Sequence, residues 1–145
     1  MLILKRRYTF SAAHRLYNPS FSDEQNQAIF GKCNNPNFHG HNYQFEVLLT
    51  GTICPTTAML INLVTLDDLV ETALLKEVDH KNLNVDVPMF AGCITSAETI
   101  ARIFFETLAP LLPENVQLVG IQVHESQNNS AEFINTALLT QPLAL

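Results

Sequence analysis

The chain predicts an α+β fold in the order ββααββ, an antiparallel sheet with two helices on one face. Three observations lead there. Apolar and polar residues alternate in two stretches near the start and two near the end, as half-buried strands require. Between them lie two stretches whose apolar residues recur at i, i+3 and i+4, the stripe of a helix resting on a core. The chain has 145 residues, 47% of them hydrophobic. That is the size of one domain, here residues 1–145, and it is enough to bury a core without disulfides.

The elements follow in order. KRRYTFSAAH puts Tyr8, Phe10, Ala12 and His14 on one parity, a strand that ends at His14. Residues 15–40 read as a polar loop of about 25 residues, and loops this long tend to be functional. A second strand fits residues 41–51, with His41, Tyr43, Phe45, Val47 and Leu49 facing one way and Asn42, Gln44 and Glu46 the other. A helix fits residues 66–78 through Leu66, Leu69, Val70, Ala73 and Leu74, and the polar run DHKNLN ends it. TSAE opens a second helix, where Thr95 and Glu98 have capping-box spacing. Ile100, Ile103, Phe104 and Leu108 form its stripe, and Pro110 and Pro113 stop it. Strands at 116–125 and 131–138 close the fold across the turn-rich SQNNS.

The formal net charge is −6, which argues against nucleic-acid binding through a basic surface. A few local cations are still able to hold a small anion. Lys5, Arg6 and Arg7 form the one basic cluster, too short to be an arm. Only 15% of residues are charged, a hint that some surface is covered by other subunits. Cys33, Cys54 and Cys93 are odd in number and lack a CxxC pair, which favours a reducing cytoplasm. MLILKRRY has no secretory h-region, and no apolar run reaches the ~20 residues of a membrane span.

The stretch CNNPNFHGHNY, residues 33–43, gathers a thiol and two imidazoles. His39 and His41 flank Gly40, and in an extended segment residues i and i+2 point to one side. Gly40 permits close backbone approach. His14 ends the first strand, so if the two strands pair, three imidazoles converge. Three His without a fourth protein ligand is the donor set of a catalytic zinc site with an open position. Imidazoles also suit copper, nickel or iron, and the bland alternative is three unrelated surface or capped histidines.

Cys33 sits beside Lys32, and a cation nearby favours the thiolate, the form able to act as a base. Asp79 and His80 are adjacent, so the carboxylate is able to orient the ring; equally, they read as a turn cap and a helix C-terminal histidine. Glu125 shares parity with Val119, Ile121 and Val123, on the apolar face at a strand end. A carboxylate there needs a partner, and a ligand with two adjacent N–H donors would fit. The alternative is a frayed strand end that reaches water. His124 reads as structural or surface, and Glu98 as a capping residue.

FSAAHRL (residues 10–16), GKCNNPNFHGHNY (31–43), VDHKNLN (78–84), TSAETIA (95–101) and HESQNNSAEF (124–133), taken in order, resemble the 6-pyruvoyl-tetrahydropterin synthase family, which includes the 6-carboxy-tetrahydropterin synthases. The resemblance implies the tunnelling fold (T-fold). In it three subunits close a barrel, two trimers stack into a homo-hexamer, and active sites lie between subunits. It implies one zinc ion per subunit on His14, His39 and His41, Cys33 as the base, and Asp79 with His80 as a proton relay. It implies that Glu125 anchors the pterin's 2-amino and N3 edge, with Thr95 and Ser96 near the pterin. The implied reaction converts 7,8-dihydroneopterin triphosphate to 6-pyruvoyl-tetrahydropterin with loss of triphosphate, a lyase reaction without nicotinamide. Lys32 and Arg15 are the candidates for the triphosphate.

Two departures bear on this reading. Asn62 stands where members often carry Asp before the first helix, a position that reads as structural. Five residues separate Cys33 from His39, a spacing like the pyruvoyl-forming members; 6-carboxy enzymes typically have a shorter one. The 6-carboxy activity of queuosine biosynthesis remains the alternative, and a non-catalytic pterin- or metal-binding oligomer the second.

Overall fold

A computed structural model describes residues 1–139 of the chain. Five strands form one sheet: β1 (Leu4–His14), β2 (His39–Gly51), β3 (Lys81–Asn82), β4 (Val116–His124) and β5 (Ser130–Ile134). Their spatial order is β3-β1-β2-β4-β5. The long strands pair antiparallel, as the alternation predicts, while the two-residue β3 runs parallel to β1. The fold is α+β as expected. It adds one short strand and one helix to the expected order.

The added helix, α1 (Asp23–Phe30), lies inside the stretch expected to be a loop. Its sequence DEQNQAIF has no apolar stripe, so periodicity misses it. Its caps do not. The Ser22 hydroxyl accepts from the Gln25 backbone N–H, and the Gln25 side chain accepts from the Ser22 N–H, a reciprocal capping box. Gly31, at φ 53°, ends α1 in a region where side chains are strained.

The second helix, α2, spans 63–78. Asn62 caps it by accepting from the Val64 N–H, so it begins a turn earlier than the apolar stripe suggests. Leu66, Val70, Leu74 and Val78 are all fully buried. A spacing of four residues drifts about 40° per step in an α-helix. A π turn over Glu71–Leu75 absorbs that drift and keeps all four on the core. The third helix, α3 (Ala97–Leu108), is capped by Ser96, whose hydroxyl accepts from the Thr99 N–H. This corrects the expected capping box by one residue: Thr95 is not the cap, and capping does not account for Glu98.

The helices cover one face of the sheet. Phe10 stacks on Tyr43 at 4.7 Å between ring centres, and Phe45 meets Phe104 edge-on at 5.1 Å. Leu118, Ile121 and Val123 of β4 complete the core. The register between β2 and β4 slips between Leu48 and Leu49. This bulge turns Val119 away from the face of Ile121 and Val123, and it packs instead with Leu48 and Leu138 on the other side of the sheet. The last strand stops at Ile134, short of the expected 138, because Asn135 caps a 3-10 turn over Thr136–Leu138. No helix among the described residues is long and apolar enough to cross a membrane.

Candidate active site

The pairing of β1 with β2 sets His14 directly opposite His39, and Ala12 opposite His41. All three imidazoles therefore project from one end of the helix-covered face, in line with Phe10 and Tyr43. One ring nitrogen from each lies within 4.8 Å of the others. The expected convergence is present. Gly40 permits the strand contact, since a Cβ there would stand 3.3 Å from the Ala12 carbonyl oxygen. Phe38 holds φ at 66° just before His39. A bulky residue pays for that conformation, and the Phe38 N–H to Asn35 carbonyl bond, 2.9 Å, holds the turn.

The donor set fits a metal. The Nε2 of His14, the Nε2 of His41 and the Nδ1 of His39 are buried and have no hydrogen-bond partner among the described residues. His14 Nδ1 donates to the Thr95 carbonyl at 2.7 Å. That bond fixes the tautomer and leaves the Nε2 lone pair facing the cluster. Burial, more than any neighbour, holds His14 and His39 below the ordinary imidazole range, which favours the neutral ligating form. Sequence reasoning missed the part the Thr95 backbone plays here. Thr95 is buried, and its hydroxyl bonds the Asn84 side chain, which also holds the Arg15 backbone on both sides.

Glu125 follows β4 on the core parity, as expected. Its carboxylate lies 3.8 Å from the Nε2 of both His14 and His41, with its side chain 15% exposed. Asn129 donates to one of its oxygens at 3.3 Å. Tyr43, wholly buried beside His41, has a hydroxyl with no partner. It shares parity with His39 and His41, as the alternation predicts, but the sequence did not mark its hydroxyl as part of the site.

Cys33 sits in a 3-10 turn after α1 (Gly31–Asn34), and all three cysteines are free. Its carbonyl accepts from the Leu16 N–H at 2.8 Å, which ties the turn to the chain leaving β1. The Arg15 side chain donates to the Asn34 carbonyl and lies 4.3 Å over the Tyr17 ring, so it braces this loop. Lys32 is exposed.

Asp79 and His80 form a pair at 3.0 Å on the β3 side of the sheet. The Ser11 N–H donates to the Asp79 carboxylate and the His80 N–H to the Ser11 carbonyl, docking the pair on β1. The Ser11 bond holds the Asp79 carboxyl below its usual range. His80 takes φ 60°, and its side chain is 82% exposed. It shares with His41 the lining of an open cavity of about 480 Å³, to which Cys33 does not contribute. Among the described residues no hydrogen bond or ring contact joins His80 to Cys33. Ser96 is engaged as the α3 cap.

Comparison with known proteins bears on this geometry. The family model described as 6-pyruvoyl tetrahydropterin synthase matches residues 3–135. A human 6-pyruvoyl tetrahydrobiopterin synthase is 46% identical over 126 residues, covering 87% of this chain and 86% of that protein. The Drosophila melanogaster protein of the same name is 40% identical over 130 residues, 90% of this chain and 77% of that one. The solved Caenorhabditis elegans 6-pyruvoyl tetrahydropterin synthase superposes with a TM-score of 0.87 at 36% identity, over 92% of this chain and 95% of that one.

Proposed function

The chain belongs to the 6-pyruvoyl tetrahydropterin synthase family, and on that premise we propose that it converts 7,8-dihydroneopterin triphosphate to 6-pyruvoyl-tetrahydropterin with elimination of triphosphate. The observation that carries the reading is the cluster of three imidazoles with unpartnered nitrogens beside a carboxylate on the same face. His14, His39 and His41 hold zinc, one ion per chain. Bound there, zinc supplies Lewis-acid polarisation of the substrate's side-chain hydroxyls.

The chain's own residues do the rest. Glu125 accepts the two adjacent N–H donors of the pterin edge, as a bidentate acceptor. Thr95 and Ser96 line the approach at the start of α3. The Cys33 thiolate takes a proton from the substrate side chain. The Asp79–His80 pair carries protons as triphosphate leaves and electrons shift within the substrate to reduce the ring. Lys32 and Arg15 flank the loop where the triphosphate departs.

The relay and the thiol belong together only in an assembly. His80 is 82% exposed on the β3 side and free to reach a neighbouring copy. The outer edges of β5 and of the first part of β1 carry no strand partner among the described residues. Such edges invite strand addition. In this reading, as the family resemblance implies, the assembly is a homo-hexamer built as a dimer of trimers and works in the cytoplasm; the unpaired edges support strand addition between copies.

The test is incubation of the zinc-loaded protein with 7,8-dihydroneopterin triphosphate under anaerobic conditions, with products identified by mass. The reading expects 6-pyruvoyl-tetrahydropterin and triphosphate, and a deep loss of turnover in Cys33→Ala with zinc retained. Carboxy-tetrahydropterin with acetaldehyde would assign the queuosine-type reaction instead. Unchanged substrate on a zinc-loaded protein would overturn catalysis and leave a binding role.

A further inference from the structure

We propose that Tyr43 is a positioning residue for the pterin: its hydroxyl donates to the Glu125 carboxylate in the loaded site and fixes that carboxylate toward the pterin edge. This rests on the proposed role of Glu125.

Tyr43 is wholly buried, and its hydroxyl has no partner. Buried tyrosine hydroxyls nearly always find one, because the group loses its water on burial. The ring cannot swing to seek it. It lies flat on Phe10 at 4.7 Å and 7°, and edge-on to His14 and His41 at 5.9 and 5.4 Å. The partner must therefore come to the hydroxyl.

The register names the partner. Phe45 pairs with Val123 and Gln44 with His124. Continued one step past that last pair, the same register would set Tyr43 beside Glu125, and both already stand against His41, the Glu125 carboxylate 3.8 Å from its Nε2 and the Tyr43 ring edge-on at 5.4 Å. A phenol hydroxyl keeps its proton near neutral pH, so beside a carboxylate it acts as a donor. The Glu125 carboxylate spans the Nε2 atoms of His14 and His41 at 3.8 Å, beyond hydrogen-bond reach of either. Among the described residues Asn129 is the hydrogen-bond donor to it, at 3.3 Å. When it turns to accept from a pterin, a second fixed donor completes its coordination, and the hydroxyl beside it has nothing else to bond.

The test is a double-mutant cycle on the zinc-loaded protein with Tyr43→Phe and Glu125→Gln, which keeps the packing of both side chains. It is read by KM and kcat for 7,8-dihydroneopterin triphosphate and by direct binding of neopterin. Tyr43→Phe should weaken neopterin binding and raise KM by about tenfold, the loss of one charge-assisted bond. It should leave kcat and zinc content unchanged. In the Glu125→Gln background the same change should add almost nothing, the mark of two groups acting as one. Additive losses, or wild-type affinity in Tyr43→Phe, would overturn the proposal. So would a fall in kcat at constant KM, which would tie the hydroxyl to Cys33. A wild-type protein that binds neopterin but turns nothing over would overturn the synthase reading alone, and the binding cycle would still decide the role of Tyr43.

Discussion

The two ends of β1 treat polar groups in opposite ways, one half-buried and the other largely buried. At one end Arg6 and Tyr8 both bond Asp67 of α2. The guanidinium spans the carboxylate at 3.1 and 2.7 Å, and the phenol donates at 2.8 Å. That network raises the Tyr8 phenol, chiefly through burial, and lowers the Asp67 carboxyl, chiefly through Arg6. At the other end, on the same face, His14, His39, His41 and Tyr43 each leave a buried atom without a partner. A satisfied network holds a helix on a sheet. A cluster of orphaned donors and acceptors, of which a native fold tolerates few, is a site arranged for something else.

The largest expected effect breaks this contrast. His41→Ala should abolish zinc binding and turnover while the metal-free protein stays folded, read by zinc content after dialysis and by circular dichroism. Asp67→Ala should do the reverse: zinc is retained, and stability falls by about 1 kcal/mol, because the half-buried Tyr8 hydroxyl loses its acceptor. A stable Asp67→Ala without zinc, or a zinc-replete His41→Ala, would erase the distinction.

Acidification should separate the ends next. His14 and His39 titrate below their unfolded values because burial disfavours the charged ring. Below about pH 6.5 the unfolded chain therefore binds more protons than the folded one. The metal-free protein should hold its stability above that pH and lose it as pH falls through the depressed folded values. Asp67 and Asp79 are lowered too, but from the ordinary carboxylate range, so their contribution is lost only in a more acidic window. Denaturant unfolding of the metal-free protein at a series of pH values reads this directly, and a flat profile between pH 7 and 5 would contradict it.

The smallest effect compares the two tyrosines. Tyr8→Phe should cost about 1 kcal/mol, the net value of a hydrogen bond. Tyr43→Phe should cost the metal-free protein less than about 0.5 kcal/mol, since it removes a hydroxyl that bonds nothing. Equal costs in thermal or denaturant unfolding would mean that Tyr43 has a partner before any ligand arrives.

Much of this was legible in the chain. Alternation with period two put Tyr8, Phe10, Ala12 and His14 together on one strand and His41, Tyr43 and Phe45 together on the next, and antiparallel pairing then brings the imidazoles together on one face of the sheet. Glu125 betrayed itself by parity. What escaped reading depends on tertiary contact or on backbone groups. The Thr95 carbonyl that orients His14 carries no side-chain signature. The polar α1 is written in its caps and not in a stripe. The bulge at Leu48/Leu49 moves Val119 across the sheet, which no alternation pattern anticipates. The Asp79–His80 pair is visible as DH in sequence, but its exposed position beside β3 is not.

Titration of the metal-free protein with zinc by calorimetry tests the central claim most directly. The account predicts one ion per chain, proton release that grows as pH falls toward the imidazole range, and loss of the site in His41→Ala with the site kept in Asp67→Ala. Absence of binding, or binding indifferent to His41, would mean that the unpartnered imidazoles at the end of β1 are not a metal centre.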